Sequence, residues 1–267
     1  MGSVEVSQSA YGEYGKCVHI TNGAVELYAT LELGPRIIRF GKVGGPNEFY
    51  EVKDDNVNHS GDGMYNYFGK EKGDWHIYGG HRLWTSPESF PESYYPDNRP
   101  VEAEYTENGV VLTQEPQKEN GVQFKMEISM NDDGIVSVNH IVENIGEKPL
   151  ELASWALTVM EVGGLEAVPL TKRSPQFLHS RNISLWSYAD PSDKRAEWTK
   201  DFFLLKTTSD TESNFKIGTN NEDGCVYYFN HGNLFIKRFD PFSPDKKYPD
   251  NNVNFETYTS KFIAEVE

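Results

Sequence analysis

The chain has 267 residues, of which 41 are acidic and 25 basic, and its formal net charge at pH 7 is −16. Nucleic-acid grooves and anionic membrane surfaces are disfavoured as partners, because both need clustered lysine and arginine. The hydrophobic share of 37 % and the aromatic share of 13 % are enough for a packed core. No apolar stretch reaches 18 residues and residues 1–20 lack a secretory pattern, so we expect no transmembrane helix and a cytoplasmic location.

Apolar and polar residues alternate along much of the chain, which is typical of strands with one wet face. Between Val122 and Met130 every second residue is apolar, and Asn131-Asp132-Asp133-Gly134 then provides turn chemistry for a hairpin with residues 135–142. In chain order, the predicted strands are residues 25–31, 109–114, 122–130, 135–142, 150–160, 225–230, 234–239, 253–258 and 262–266. We predict an all-β protein, with residues 1–267 forming a single antiparallel β domain.

Two long stretches depart from this pattern. Residues 54–100 and 240–252 are polar and rich in turn formers, and they are predicted to be long loops, which in compact domains are usually functional or disordered. The aromatic content of the first loop argues against disorder. The best helix candidate is Ser192–Leu204, which follows Asp190-Pro191.

Metal and disulfide chemistry find little support. Cys17 and Cys225 are too few for a disulfide scaffold, and each is expected to be a buried free thiol. His76 and His81 match no zinc-ligand spacing, and the acidic run Asp54-Asp55-Asn56 lacks the spacing of an EF-hand. We expect no metal and no cofactor.

The densest group of side chains that could recognise a ligand lies between Trp75 and Glu88. It holds two imidazoles, a guanidinium, two indoles and a carboxylate around the flexible pair Gly79-Gly80. Such sets bind sugars, because an aromatic face covers the C–H side of the ring while planar polar groups bind hydroxyl pairs. A satisfied polar corner of the core is the alternative. The residues expected to contact a sugar here are His76, Arg82, Trp84 and Glu88.

Further candidates come late in the chain. Glu256 lies in the predicted strand 253–258 on the face opposite Val253, directly after the loop 240–252 that contains Tyr248. A solvent-facing glutamate is the simplest interpretation, but this position makes Glu256 a candidate catalytic carboxylate. Lys237 and Arg238 are the only basic pair inside a late strand, and one of them must face inward. Both, with Tyr248, are added to the substrate-binding candidates.

Several segments together resemble the galactose mutarotase-like, or aldose 1-epimerase-like, superfamily. The opening of these proteins is similar to Asn22-Gly23-Ala24-Val25-Glu26-Leu27 followed by Leu33-Gly34-Pro35-Arg36-Ile37-Ile38-Arg39-Phe40-Gly41. The segment that borders their sugar pocket is similar to Tyr78-Gly79-Gly80-His81-Arg82-Leu83-Trp84. Glu143-Asn144-Ile145-Gly146-Glu147-Lys148-Pro149-Leu150 resembles the turn before the central strand, and Asn254-Phe255-Glu256 resembles the strand with the catalytic glutamate.

The resemblance implies a β-supersandwich with a sugar pocket on one concave sheet. In these enzymes a histidine protonates the ring oxygen while a glutamate accepts the proton of the anomeric hydroxyl. Carried over to this chain, Glu256 would be the base. The central strand, residues 152–160, contains no histidine, so His81 or His76 would supply the acid from the long loop, or the reaction has been lost.

Three functions are compatible with these observations. The first is an aldose 1-epimerase with Glu256 and His81 as catalytic residues, and the second is a non-catalytic sugar-binding module that uses Arg82, Trp84 and Trp155 as its platform. The third is another sugar-active enzyme, a lyase or a hydrolase, for which Glu88 and Glu256 are the pair to inspect. In each case the expected partner is a small sugar or an oligosaccharide. The oligomeric state is left open.

Overall fold

The computed structural model describes residues 2–52 and 58–267. Strands dominate its regular structure and form antiparallel sheets, so the predicted all-β class is confirmed. The chain divides into two compact units, Met1–Thr158 and Val159–Glu267. The single domain over residues 1–267 stays a prediction.

The described part of the first unit contains the helix α1 (Asp62–Phe68) and short 3-10 turns at Gly12–Tyr14, Lys70–Lys72 and Glu92–Tyr94. Its strands are β1 (Glu5–Ala10), β2 (Lys16–Thr21), β3 (Val25–Thr30), β4 (Arg36–Lys42), β5 (Asn58–His59), β6 (Trp75–His76), β7 (Gly80–Ser86), β8 (Glu102–Thr106), β9 (Gly109–Thr113), β10 (Val122–Met130), β11 (Val136–Asn144) and the first part of β12 (Ala153–Glu161). Hydrogen-bonded neighbours run in the order β1-β2-β3-β4-β7-β12 and, separately, β11-β10-β9-β8, while β5 pairs with β6.

The predicted hairpin is confirmed as β10 and β11. Val122 lies opposite Asn144 and Met130 opposite Val136, and Gly134 has the positive φ of 79° that the connecting turn requires. The apolar residues of β10 are all buried, whereas those between them are partly or fully exposed. Burying one such side chain stabilises the fold by roughly 1.5–3 kcal/mol, so this alternation sets which face of β10 points to the core.

The prediction of a long loop over residues 54–100 is wrong for its central part. This stretch contains β7, which lies between β4 and β12 in the sheet, with Arg36 opposite Arg82 and Ile37 opposite His81. All but one residue of β7 are buried, so the strand has no wet face and shows no alternation. The side chains of His81 and Arg82 have polar partners inside the protein, which composition does not reveal.

The second unit contains the remainder of β12 and a short helical turn, α2 (Pro249–Asn252). Its strands are β13 (Leu165–Pro169), β14 (Ile183–Leu185), β15 (Ala196–Trp198), β16 (Phe202–Lys206), β17 (Phe215–Thr219), β18 (Cys225–Asn230), β19 (Asn233–Arg238), β20 (Phe255–Thr259) and β21 (Ile263–Val266). A five-stranded sheet has the order β15-β16-β13-β18-β19, and β21-β20-β17-β14 are neighbours in a second sheet.

The helix predicted at Ser192–Leu204 is also wrong. The segment contains β15 and the start of β16, which pair with Trp198 opposite Phe203. The backbone N–H of Thr199 donates to the carbonyl of Phe202 across the turn between them. Phe203 and Leu205 are fully buried, and this two-residue period of burial outweighs the local helix signal.

Both cysteines are free thiols, as expected; Cys17 is buried and Cys225 is partly buried. Within residues 2–52 and 58–267, no helix is long and apolar enough to cross a membrane.

Candidate functional site

The second unit places Glu256 in a row of cross-strand neighbours rather than in open solvent. Its strand β20 pairs with β17, where Gly218 lies opposite Glu256. On the other side, Glu256 and Glu267 exchange two backbone hydrogen bonds, N–H to O, of 3.4 and 2.9 Å. Only 8 % of Glu256 is exposed, so the carboxylate needs partners inside the protein.

The main partner is a lysine shared between two carboxylates. The Nζ atom of Lys216, on β17, lies 2.8 Å from Glu256 Oε2 and 2.9 Å from Glu267 Oε2. All three side chains are at least nine-tenths buried. Two carboxylates and one ammonium leave an excess negative charge when all are ionised, and a buried cluster relieves that excess by binding a proton.

The proton affinities follow from this imbalance. Burial, reinforced by the charges of Glu267 and Asp250 against that of Lys216, raises the pKa of Glu256 to about 8. Burial alone would lower the pKa of Lys216, but the two carboxylates outweigh it and raise that pKa above its usual value. Lys216 therefore stays charged, while Glu256 can bind and release a proton near neutral pH.

Aromatic rings border this charged group. Lys216 Nζ lies 4.7 Å from the centre of the Trp186 ring, and the rings of Tyr188 and Tyr258 meet edge to face at 6.4 Å. Trp186 and Tyr258 are half-buried and Tyr188 is exposed. We refer to Lys216, Glu256, Glu267 and the three rings as the Glu256 site.

The other late candidates lie in the second unit too. Lys237 is the inward-facing member of the basic pair, and its Nζ donates to the carbonyl of Val266 at 2.6 Å, whereas Arg238 is exposed. The Tyr248 hydroxyl accepts from the backbone N–H of Ser243 at 3.0 Å. Tyr248 thus holds its own loop together.

In the first unit, both ring nitrogens of His81 have partners. Nδ1 lies 2.8 Å from Thr158 Oγ1, and Nε2 lies 2.8 Å from Nε2 of His140. Because the Nε2 atoms of His81 and His140 form one hydrogen bond, one of them carries a proton and donates while the other accepts. The two rings therefore cannot both be fully protonated. To donate a proton to a sugar, His81 would have to give up one of these contacts.

Arg82, Trp84 and Trp155 do lie together. The Arg82 guanidinium is 4.8 Å from the centre of the Trp84 ring, and the rings of Trp84 and Trp155 are 5.4 Å apart. Arg82 and Trp84 are only 3 % and 6 % exposed, so of this group Trp155, which is half-buried, is the most open to solvent.

The glycine pair before β7 explains how these side chains are positioned. Gly79 and Gly80 both have positive φ, at 94° and 70°. A Cβ on Gly79 would lie 2.0 Å from the carbonyl oxygen of Tyr50, and one on Gly80 would lie 2.1 Å from that of Ile37. Only glycine allows this close turn into β7, which then carries His81 and Arg82 into the sheet.

The remaining candidates lie near the surface of the first unit. Glu88 is exposed and accepts a hydrogen bond from the Tyr94 hydroxyl. His76 is half-buried on β6, with its ring 5.2 Å from that of Tyr78.

A small cavity lies beside Arg82 and Trp84. Its volume is about 10 Å³ and its lining also includes Asp97, Gln114 and Phe124. This is near the lower limit for one water molecule, far below the roughly 300 Å³ of small-molecule pockets. A sugar ring does not fit there.

Among the described residues, no group of three or more His, Cys, Asp or Glu side chains is arranged to hold a metal ion. The acidic run Asp54-Asp55-Asn56 considered in the sequence lies outside the described residues.

Two parts of the Glu256 site were missed in the sequence. Lys216 had a signal that could have been used, because it stands between the apolar residues Phe215 and Ile217 in a short run that reads as a buried strand. Glu267 had none, since it directly follows β21 and only the pairing of β21 with β20 brings it to Lys216.

The comparisons with known proteins add no family assignment. No protein-family model matches the chain, and no curated protein matches its sequence.

Proposed function

We propose that the protein binds a sugar hemiacetal at the Glu256 site and interconverts its anomers, with Glu256 as the proton-transfer group. The fold would be the β-supersandwich of the galactose mutarotase-like proteins that the sequence resembles. The observation that carries the proposal is the buried pair of carboxylates, Glu256 and Glu267, which share the single ammonium of Lys216 beside aromatic rings.

The chemistry needs a group that both gives and takes a proton. When the ring opens, the anomeric hydroxyl loses a proton, the ring oxygen gains one and the C1–O5 bond breaks. Closure of the free aldehyde on either face then gives either anomer, and the protons balance. A protonated carboxyl can perform both transfers, donating through its O–H to the ring oxygen while its second oxygen accepts from the anomeric hydroxyl.

The environment of Glu256 suits this role. With a pKa of about 8 the carboxyl is mostly protonated at neutral pH, yet it ionises readily. An ordinary glutamate would be almost fully ionised and could only accept. A single bifunctional carboxyl also removes the need for a histidine on β12.

The aromatic rings support sugar recognition in particular. Trp186, Tyr188 and Tyr258 offer apolar faces and edges next to charged groups, which matches the alternation of C–H faces and hydroxyls on a pyranose. A binding module that has lost the reaction would use the same surface. Such a module would bind the sugar without accelerating the exchange of its anomers.

The test follows the interconversion of aldose anomers by NMR exchange spectroscopy or polarimetry. We expect the wild-type protein to accelerate the exchange and Glu256→Gln to lower the rate constant by about 10²-fold or more, the usual contribution of a general acid–base group. The matched control is Glu212→Gln, because Glu212 has the same side chain at an exposed position of the same unit, and it should behave as wild type.

Each outcome is informative. Saturable sugar binding without acceleration would replace the epimerase by a binding module. Acceleration that survives in Glu256→Gln would remove Glu256 from the mechanism. Neither binding nor acceleration across a panel of aldoses would overturn the proposal.

A further inference from the structure

The strand that carries Glu256 is held from its opposite face. Thr257 follows Glu256 on β20, so its side chain points the other way, and its hydroxyl donates to Oε2 of Glu166 at 2.5 Å. Both Thr257 and Glu166 are fully buried. Glu166 lies on β13 of the five-stranded sheet, so this hydrogen bond joins the two sheets of the second unit.

The strand that leads to Glu267 is held in the same way. Lys237, on β19 of the same five-stranded sheet, donates from Nζ to the carbonyl of Val266 at 2.6 Å. Val266 ends β21 and directly precedes Glu267. Each carboxylate of the Glu256 site therefore has a neighbour in sequence that is hydrogen-bonded to an ionisable side chain of the five-stranded sheet.

We propose that Glu166 and Lys237 are positioning residues, which hold β20 and β21 from behind and so keep the carboxylates of Glu256 and Glu267 against Lys216. The inference deepens the proposed function and rests on it for its catalytic consequence. Neither residue needs to touch a sugar.

The charges around Glu256 and those around Glu166 are connected, because Glu267 acts on both carboxyl groups. Glu256 is faced by Lys216 from β17, by Glu267 beyond β21 and by Asp250 from the preceding turn. Glu166 is faced by Thr257, Lys237, Glu267 and Tyr228. Burial raises the pKa of Glu166 to about 8 and lowers that of Lys237 to about 7.

A cost accompanies this arrangement. Fully burying a carboxyl and partly burying an amine is unfavourable unless each is well bonded, and apolar side chains of similar size would often be at least as stable. A role in holding the carboxylates of Glu256 and Glu267 accounts for the presence of Glu166 and Lys237. If either strand loosens, water reaches Glu256 and its pKa moves toward that of an ordinary glutamate.

The test measures the pKa of the Glu256 carboxyl by NMR, with its resonance assigned by its loss in Glu256→Gln. Thr257→Val keeps the shape of the side chain but removes the hydroxyl, and we expect it to lower the pKa of Glu256 by about one unit or more. Thr257→Ser keeps the hydroxyl and is the matched control, expected to stay near the wild-type value. Lys237→Met tests the other strand and should lower the same pKa.

A Glu256 pKa that is the same in wild type, Thr257→Val and Lys237→Met would overturn the positioning role. A shift in only one variant would overturn the paired arrangement. Lys237→Met also gives a result where Thr257→Val fails to fold. The titration requires no sugar, so it tests the positioning role separately from the proposed function. If the protein does not accelerate anomer exchange but the Glu256 pKa is shifted in the variants, the proposed function is contradicted and the positioning role stands.

Discussion

Each unit of the protein buries a cluster of charged side chains, and the two clusters are built from different residues. In the first unit, Arg36 lies 2.5 Å from Asp97, and Arg82 lies 3.9 Å from the same carboxylate. Arg36 also donates to the carbonyls of Ile77 and Gly79. In the second unit, the cluster consists of lysine and glutamate instead, and Glu256 and Glu267 share Lys216.

The difference lies in what each cluster can do with a proton. A guanidinium cannot be deprotonated in a protein and offers several donors in a fixed plane, so it suits a permanent link between backbone segments. Carboxyl and amine groups change their charge when burial and neighbours move their pKa values. The first cluster is therefore suited to holding structure, and the second to exchanging protons.

The largest expected effect breaks the permanent cluster. Asp97→Ala leaves two buried guanidinium groups without their carboxylate, and we expect it to lower the free energy of unfolding by about 3–5 kcal/mol. Chemical denaturation measures this loss. Asp133→Ala removes an exposed carboxylate of the same unit and should change the stability very little; equal effects of the two substitutions would refute the structural role.

The next prediction concerns Glu166, the buried carboxyl on the other face of β20 from this second cluster, and the pH dependence of stability. Glu166 has a pKa of about 8 in the folded protein and 4.5 as its ordinary value. Between these values the folded protein binds more protons than the unfolded chain, so the stability that Glu166 contributes is complete below pH 4.5 and is lost as the pH rises to 8. The slope from one such group reaches about 1.4 kcal/mol per pH unit.

Glu166→Gln removes this contribution. Denaturation curves at several pH values should show that the variant gains stability relative to wild type as the pH rises from 4.5 to 8. Lys237 has the opposite effect on stability at higher pH, because its pKa falls from 10.5 to about 7 on folding. Between pH 7 and 10.5 the unfolded chain binds more protons at this group, so the free energy of unfolding rises with pH. Parallel pH profiles for wild type and Glu166→Gln would contradict the assignment.

The smallest expected effect is at the surface. Lys261 and Glu212 form an ion pair of 3.1 Å, but the Glu212 side chain is 87 % exposed. Lys261→Met should therefore change the free energy of unfolding by less than about 1 kcal/mol. A larger loss, measured by denaturation under the same conditions, would mean that exposed ion pairs in this protein are stronger than such pairs usually are.

Much of the fold could be predicted because many strands have one buried and one wet face. The bounds of β10 follow from Val122–Met130 alone, and the turn at Asn131–Gly134 identifies its partner. This signal vanishes where both faces are buried, as in β7. The alternation is also ambiguous in the aromatic run around Phe203, where the same sequence is compatible with a helix and with a hairpin.

The candidate site was predicted only in part, for a related reason. Glu256 could be found because its strand alternates and follows an unusual loop. Lys216 and Glu267 come to it through pairing between strands that are far apart in sequence, and no local pattern encodes that pairing. In the sequence, Glu166 and Thr257 look like ordinary strand residues, and nothing local indicates the hydrogen bond between them.

The glycine pair at the entrance to β7 also bears on how the protein can vary over evolution. Any side chain at Gly79 or Gly80 would collide with the backbone of a neighbouring segment, so a lineage that keeps this fold must keep both glycines. The residues that follow can change more freely if their partners change with them. Distant relatives with different binding residues should therefore still carry two adjacent glycines at this point, which makes the pair a better marker of descent than the histidine and arginine beside it.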